Sequence, residues 1–140
     1  MESTETFTAK IATLEKALNT FRLLMAQDTS GLDAILKDGI KNGCIQKFEY
    51  SIELTWKLAK YHSEHIVLQP CTYPKDAIRY LYLANKISDT CYEGLLDAIM
   101  DRNKLSHIYK EDFFNQIIEK LPLHLNVMQE VLEVMKNEVE

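Results

Sequence analysis

An arginine, an imidazole, a hydroxyl and a phenol fall within nine residues at Asp101-Arg102-Asn103-Lys104-Leu105-Ser106-His107-Ile108-Tyr109. His107 can take up or release a proton near neutral pH. Arg102 presents a planar fork of donors that matches a phosphate. Asn103 and Ser106 add neutral hydrogen-bonding groups between them. The set points to chemistry on a phosphate ester. The same residues would also suit a helix end with its polar side chains in water, because an arginine and a histidine alone are not a specific motif.

These groups need elements to hold them, and the apolar spacing predicts helices. Phe7, Ile11, Leu14, Leu18, Phe21 and Met25 alternate by three and four over a first helix, about 6–27. Asp28-Thr29-Ser30-Gly31 reads as its stop. A second segment, about 32–67, carries two stripes: Phe48, Ile52, Trp56 and Ala59, then Tyr50, Leu54, Leu58 and Tyr61. So wide an apolar arc belongs at a bundle centre or between subunits. Glu49, Glu53, Lys57 and Lys60 fill the narrow face between the stripes, and Glu53 to Lys57 is the favourable i, i+4 order. His62 and His65 are expected on the surface, with too few neighbours for a metal site.

Pro70 and Pro74 break the chain before a short helix, about 75–85, on which Asp76 and Arg79 are spaced to pair. Ser88-Asp89-Thr90 supplies an N-cap for a helix that runs to about residue 105 and buries Tyr92, Leu95, Leu96 and Ile99. The polar stretch sits at its C-terminal end. On an ideal helix Arg102 and His107 diverge by about 140°, whereas Asn103 and His107 share a face. Either the helix breaks inside the stretch, or two copies of the chain build one cleft. A last helix, about 111–137, keeps its spacing through Pro122, which should kink it rather than end it. His124 is expected on its surface.

With 140 residues the chain fits one domain spanning 1–140, and its four glycines and three prolines favour long helices over a many-turned sheet. The expected architecture is an all-α, up-and-down bundle of four to five helices, paired as a homodimer. No apolar run is long enough for a membrane span, and the polar, acidic first residues do not resemble a signal peptide. A cytoplasmic location is the expectation. Cys44, Cys71 and Cys91 match no zinc spacing and read as reduced thiols. A formal net charge of −5 disfavours general binding to a nucleic-acid backbone, DNA included, so any RNA contact must be local or pooled between subunits. No glycine-rich phosphate loop occurs, and no strand-rich region could carry the paired carboxylates of a nucleotidyltransferase. No metal or cofactor is expected.

Arg102, His107 and Tyr109 resemble the R-x4-H-x-Y signature of HEPN-domain proteins, in the Arg-Asn and Ser-His form of the nucleotidyltransferase substrate-binding type. Two further stretches resemble that family in the expected order: Phe48 to Lys57, and Pro74-Lys75-Asp76-Ala77-Ile78-Arg79. The resemblance covers most of the chain and is weakest at its ends. It implies two antiparallel-packed subunits whose motifs meet in one composite cleft. Glu49, Glu53, Trp56, Lys57 and Arg79 would then line that cleft or the dimer seam, although a solvated charged face explains the first two and Lys57 equally well.

The resemblance implies two competing functions. The first is a metal-independent endoribonuclease, often the toxin of a two-gene module. There the ribose 2′-hydroxyl attacks the adjacent phosphate, His107 moves the proton, Arg102 holds the phosphate, and Asn103 and Ser106 position groups. The second is a non-catalytic subunit that binds nucleotide, or presents itself, to a separate minimal nucleotidyltransferase. Both can hold if that partner enzyme is the antitoxin and transfers AMP to Tyr109.

Overall fold

The computed structural model describes residues 2–106 and 110–139. Five α-helices and no strand occur among them: α1 (Glu2–Met25), α2 (Ala34–Tyr61), α3 (Pro74–Leu83), α4 (Asp89–Leu105) and α5 (Lys110–Glu138). A π-helical turn, His62–Ile66, extends α2. None of the helices is long and apolar enough to cross a membrane.

The predicted stripes become the core. Phe7, Ile11, Leu14, Leu18 and Phe21 are buried on α1, with Ile117, Leu121, Leu125, Met128, Leu132 and Met135 buried on α5. The α5 helix continues through Pro122, as its spacing requires. Capping fixes where the helices start. Asp33 accepts from the Leu36 N–H at 2.9 Å to begin α2, and Ser88 accepts from the Cys91 N–H at 3.1 Å to begin α4. Asp28 closes the turn after α1 by accepting from the Ser30 N–H at 3.0 Å. In α3 Asp76 turns back to the Tyr73 N–H at 3.3 Å, while Arg79 is exposed.

The α2 helix is central and packs against all four others. Its first stripe is the deeper one: Phe48, Ile52 and Ala59 are buried and Trp56 half-buried. The second stripe rises out of the core toward the start of the helix. Leu58 is buried, Leu54 and Tyr61 half-buried, and Tyr50 is 53% exposed, because that end borders an open seam with α1. Cross-contacts give the helix directions. Thr6 and Leu58 line one hollow, and Asp101 meets His124, so α1 runs antiparallel to α2 and α4 antiparallel to α5.

Two expectations about histidines are corrected here. His62 is 4% exposed, because the π-turn swings it inward, where its Nε2 lies 3.7 Å from a Glu138 carboxylate oxygen. Burial holds its pKa below the ordinary histidine value, although Glu138 pulls the other way. His124 is 2% exposed and faces α4 rather than water. The cost of burying it is offset by a carboxylate on α4 that receives its ring nitrogen.

Candidate functional site

Arg102 lies in the last turn of α4, where a cation complements the negative end of the helix dipole. Its Nη1 donates to Ser106 Oγ at 2.6 Å, and Ser106 is the residue that caps the helix. Two carboxylates from α2 flank the guanidinium: Glu49 Oε2 is 3.4 Å from Nη1 and Glu53 Oε1 is 3.8 Å from Nε. Lys57 continues the alternation of charge, its Nζ 3.9 Å from Glu53. The predicted Glu49, Glu53 and Lys57 face is therefore brought to Arg102 and Ser106 by the packing of α2 against α4.

At those separations the carboxylates balance the charge of Arg102 without strong hydrogen bonds. The Nε group is buried and has no hydrogen-bond partner. The buried Nε is out of an anion's reach, but the guanidinium as a whole is half-buried and can bind an oxyanion in competition with Glu49 and Glu53.

The α4 helix ends at Leu105 and α5 starts at Lys110, so the helix does break between Arg102 and the rest of the motif. His107 and Tyr109 lie outside the described residues. Asn103 is exposed beside Arg102. Trp56 is half-buried one turn beyond Glu53, and no described hydrogen bond or ion pair ties it to Arg102. Arg79 is on α3 and is not joined to this group by any described ion pair.

Beneath Arg102 lies a polar network that the sequence reading did not assign. Asp101 is 1% exposed, and its Oδ2 receives His124 Nε2 at 2.6 Å and Lys120 Nζ at 2.9 Å. Lys120 also reaches Asp97 at 2.8 Å. The His124 ring stacks on Phe48, with centroids 5.0 Å apart. Burial pushes the Asp101 carboxyl up, but the hydrogen bonds from His124 and Lys120 outweigh it and hold the pKa below the ordinary carboxylate value. Lys120 is held above its ordinary value against desolvation by bonds to Asp101 and Asp97. Ligand atoms of Asp97, Asp101 and His124 lie within 4.8 Å of one another, a spacing a metal ion could use. The Lys120 ammonium bridges the same two carboxylates and already supplies their counter-charge.

The network explains how the upper group is held. Phe48 precedes Glu49 and Asp101 precedes Arg102, so the buried junction of α2, α4 and α5 fixes the backbone on which the half-buried ion pair stands. The available signal was the i, i+4 spacing of Lys120 and His124 on α5.

The family model described as nucleotidyltransferase substrate binding protein like matches residues 9–137. The chain belongs to this family. A crystal structure from Thermus thermophilus is similar to this nucleotidyltransferase substrate-binding-type chain, with 25% identity and a TM-score of 0.74, covering 87% of this chain and 98% of its own. A mutant toxin–antitoxin structure, MntA–HpeT, shares the fold at 17% identity and a TM-score of 0.75, covering 95% of this chain and 98% of its own. A tri-AMPylated Shewanella oneidensis HEPN toxin in complex with an MNT antitoxin matches at 19% identity and a TM-score of 0.74, over 94% of this chain and 96% of its own. A search of curated proteins gives no match. The all-helical fold and the nucleotidyltransferase substrate-binding-type resemblance are thereby borne out.

Proposed function

We propose that this chain is the HEPN partner of a separate minimal nucleotidyltransferase and a metal-independent endoribonuclease. The observation that carries the reading is Arg102. It is held at the α4 terminus by Ser106, flanked by Glu49 and Glu53, and is half-buried rather than sealed from solvent. In the reaction the ribose 2′-hydroxyl loses its proton and attacks the neighbouring phosphorus, and the 5′-oxygen leaves with a proton. The products are a 2′,3′-cyclic phosphate and a free 5′-hydroxyl. His107 serves the proton transfers, typically worth about 10²–10⁴-fold, and Arg102 offsets charge on the phosphate oxygens. Asn103 and Ser106 orient the groups. Transfer of AMP to the Tyr109 hydroxyl by the partner would place an anion beside Arg102 and exclude RNA. A toxin with the same fold is AMPylated in complex with its antitoxin, which supports this part of the reading.

The cleft is proposed to be shared by two subunits, with Trp56 and Arg79 at its edge or seam. Cleavage should persist in EDTA, leave cyclic-phosphate ends and disappear in His107→Ala with helix content unchanged. The active species should sediment at about twice the 16.3 kDa chain mass. Mixing Arg102→Ala with His107→Ala chains should restore part of the activity if each cleft draws on both. Chelation that stops cleavage, or a monomer that cleaves, would overturn the corresponding part. A pure binding subunit would instead associate with the nucleotidyltransferase and show neither cleavage nor label on Tyr109.

A further inference from the structure

We propose that the open seam between α1 and α2 is a track for single-stranded RNA alongside the Arg102 site, an inference that rests on the endoribonuclease reading. Two adjoining hollows of about 250 and 370 Å³ share Thr13 and together form a groove. Lys10, Lys16, Lys47 and Lys57 line it, and no Asp or Glu does. This is a concentrated positive strip on a chain that has 16 basic and 21 acidic residues.

The segregation follows from the helix faces. On α1 the acidic neighbour Glu15 turns toward α5, where it meets Lys136 at 2.7 Å, while Lys10 and Lys16 stay on the α2 side. Among the described residues neither Lys16 nor Lys47 has a carboxylate within 4.0 Å, whereas Lys57, Lys86, Lys120 and Lys136 each have at least one. Two uncompensated ammonium groups across a groove suit a ligand with repeated negative charge.

Tyr50 adds what a nucleic acid needs besides charge. Its ring is 53% exposed on the groove wall between Lys47 and Leu54, placed for a base to stack on. Thr13 and the other wall threonines offer hydroxyls rather than an apolar surface, which disfavours a hydrophobic helix as occupant. The wall from Thr6 to Thr20 is about 21 Å long at helical rise. That accommodates roughly six nucleotides at the spacing of a stacked strand, and fewer if the strand is extended. Lys57 on the wall pairs with Glu53, which flanks Arg102, so the track runs alongside the site with Glu53 between them.

The test uses the full chain, a labelled single-stranded RNA 12-mer and a dinucleoside phosphate too short to span the groove. Lys16→Gln with Lys47→Gln should weaken 12-mer binding by about ten-fold at low salt and reduce the log–log salt slope by about 1.4, at about 0.7 per lost phosphate contact. Tyr50→Ala should weaken binding with the slope unchanged. Both variants should raise KM for the 12-mer at constant kcat and cleave the dinucleoside phosphate like the wild type. Thermal unfolding should be little altered, since Lys16 and Tyr50 are exposed and Lys47 is half-buried on the groove wall. Equal 12-mer affinity and slope in wild type and double variant would overturn the track while leaving the cleavage reading intact. Loss of dinucleoside cleavage in the wild type with 12-mer binding still dependent on the lysines would overturn the nuclease and keep the track. No binding of the 12-mer by the wild type would overturn the track outright.

Discussion

Asp101 sits beside Arg102 in the chain but points the other way, into the protein. It is a buried carboxylate that accepts from His124 and Lys120. Removing one member of a buried charged pair leaves the other unmatched and typically costs about 3–5 kcal/mol. Asp101→Asn should therefore lose roughly that much stability at pH 7 in urea titrations. Because the folded carboxyl is held below its unfolded value, its contribution is present above about pH 4 and fades as pH falls through the folded pKa. The gap between wild type and variant should then narrow only in that acid range. A loss below about 1 kcal/mol, or a gap independent of pH, would reduce the network to packing. The spacing of Glu49, Glu53 and Lys57 made a charged face legible in the sequence, but not whether that face met Arg102 or only water. It did not reveal Asp101 or His124. A polar residue on an otherwise apolar face has the same letter whether it is solvated or matched across a helix interface, and only the partner's position decides.

At the scale of elements, the helices were legible because each carries a long apolar stripe between caps, and their ends shifted by only a few residues. The π-turn was not, since nothing in His62-Ser63-Glu64-His65-Ile66 distinguishes an i to i+5 hydrogen-bonding pattern from an ordinary last turn. The close approach of α4 and α5 was also invisible. A Cβ built on Gly94 would lie 2.6 Å from Val127 Cγ1, on a β-branched side chain with little freedom to move. Alanine normally favours a helix over glycine by about 1 kcal/mol. Here overpacking, typically about 1–3 kcal/mol, should win. Gly94→Ala is expected to lower stability by about 1 kcal/mol, yet to raise it by up to about 1 kcal/mol in a Val127→Ala background. A double-mutant cycle in chemical denaturation reads the change of sign. Additive effects would mean that the helices separate freely at this point.

For the molecule as a whole, the stripes and scarcity of turns were enough to indicate a helical bundle, but left α2 either at its centre or between subunits; the packing of α2 on all four other helices puts it at the centre. How the charges sort onto separate faces was not readable, because i, i+3 and i+4 neighbours are known from sequence but the helix that covers each face is not. The three thiols tie this scale to something measurable. Cys44, Cys71 and Cys91 are all free and buried, one near the middle of the bundle, one at the approach to α3 and one at the start of α4. Burial, and then Glu130, push Cys91 up to about 12, so in the folded state it is almost never a thiolate at neutral pH. Alkylation must then wait for the protein to open. Pulsed labelling with an iodoacetamide, read by mass peptide by peptide, should show Cys91 modified at the rate of global unfolding. If the α3 approach opens on its own, Cys71 should be modified first. Three equal rates would mean that the bundle yields in a single step, and a fast Cys91 would mean that α4 frays from its N-terminus. The cysteines thus make the unaltered chain a set of three stopwatches, each started by the breathing of a different part of the protein.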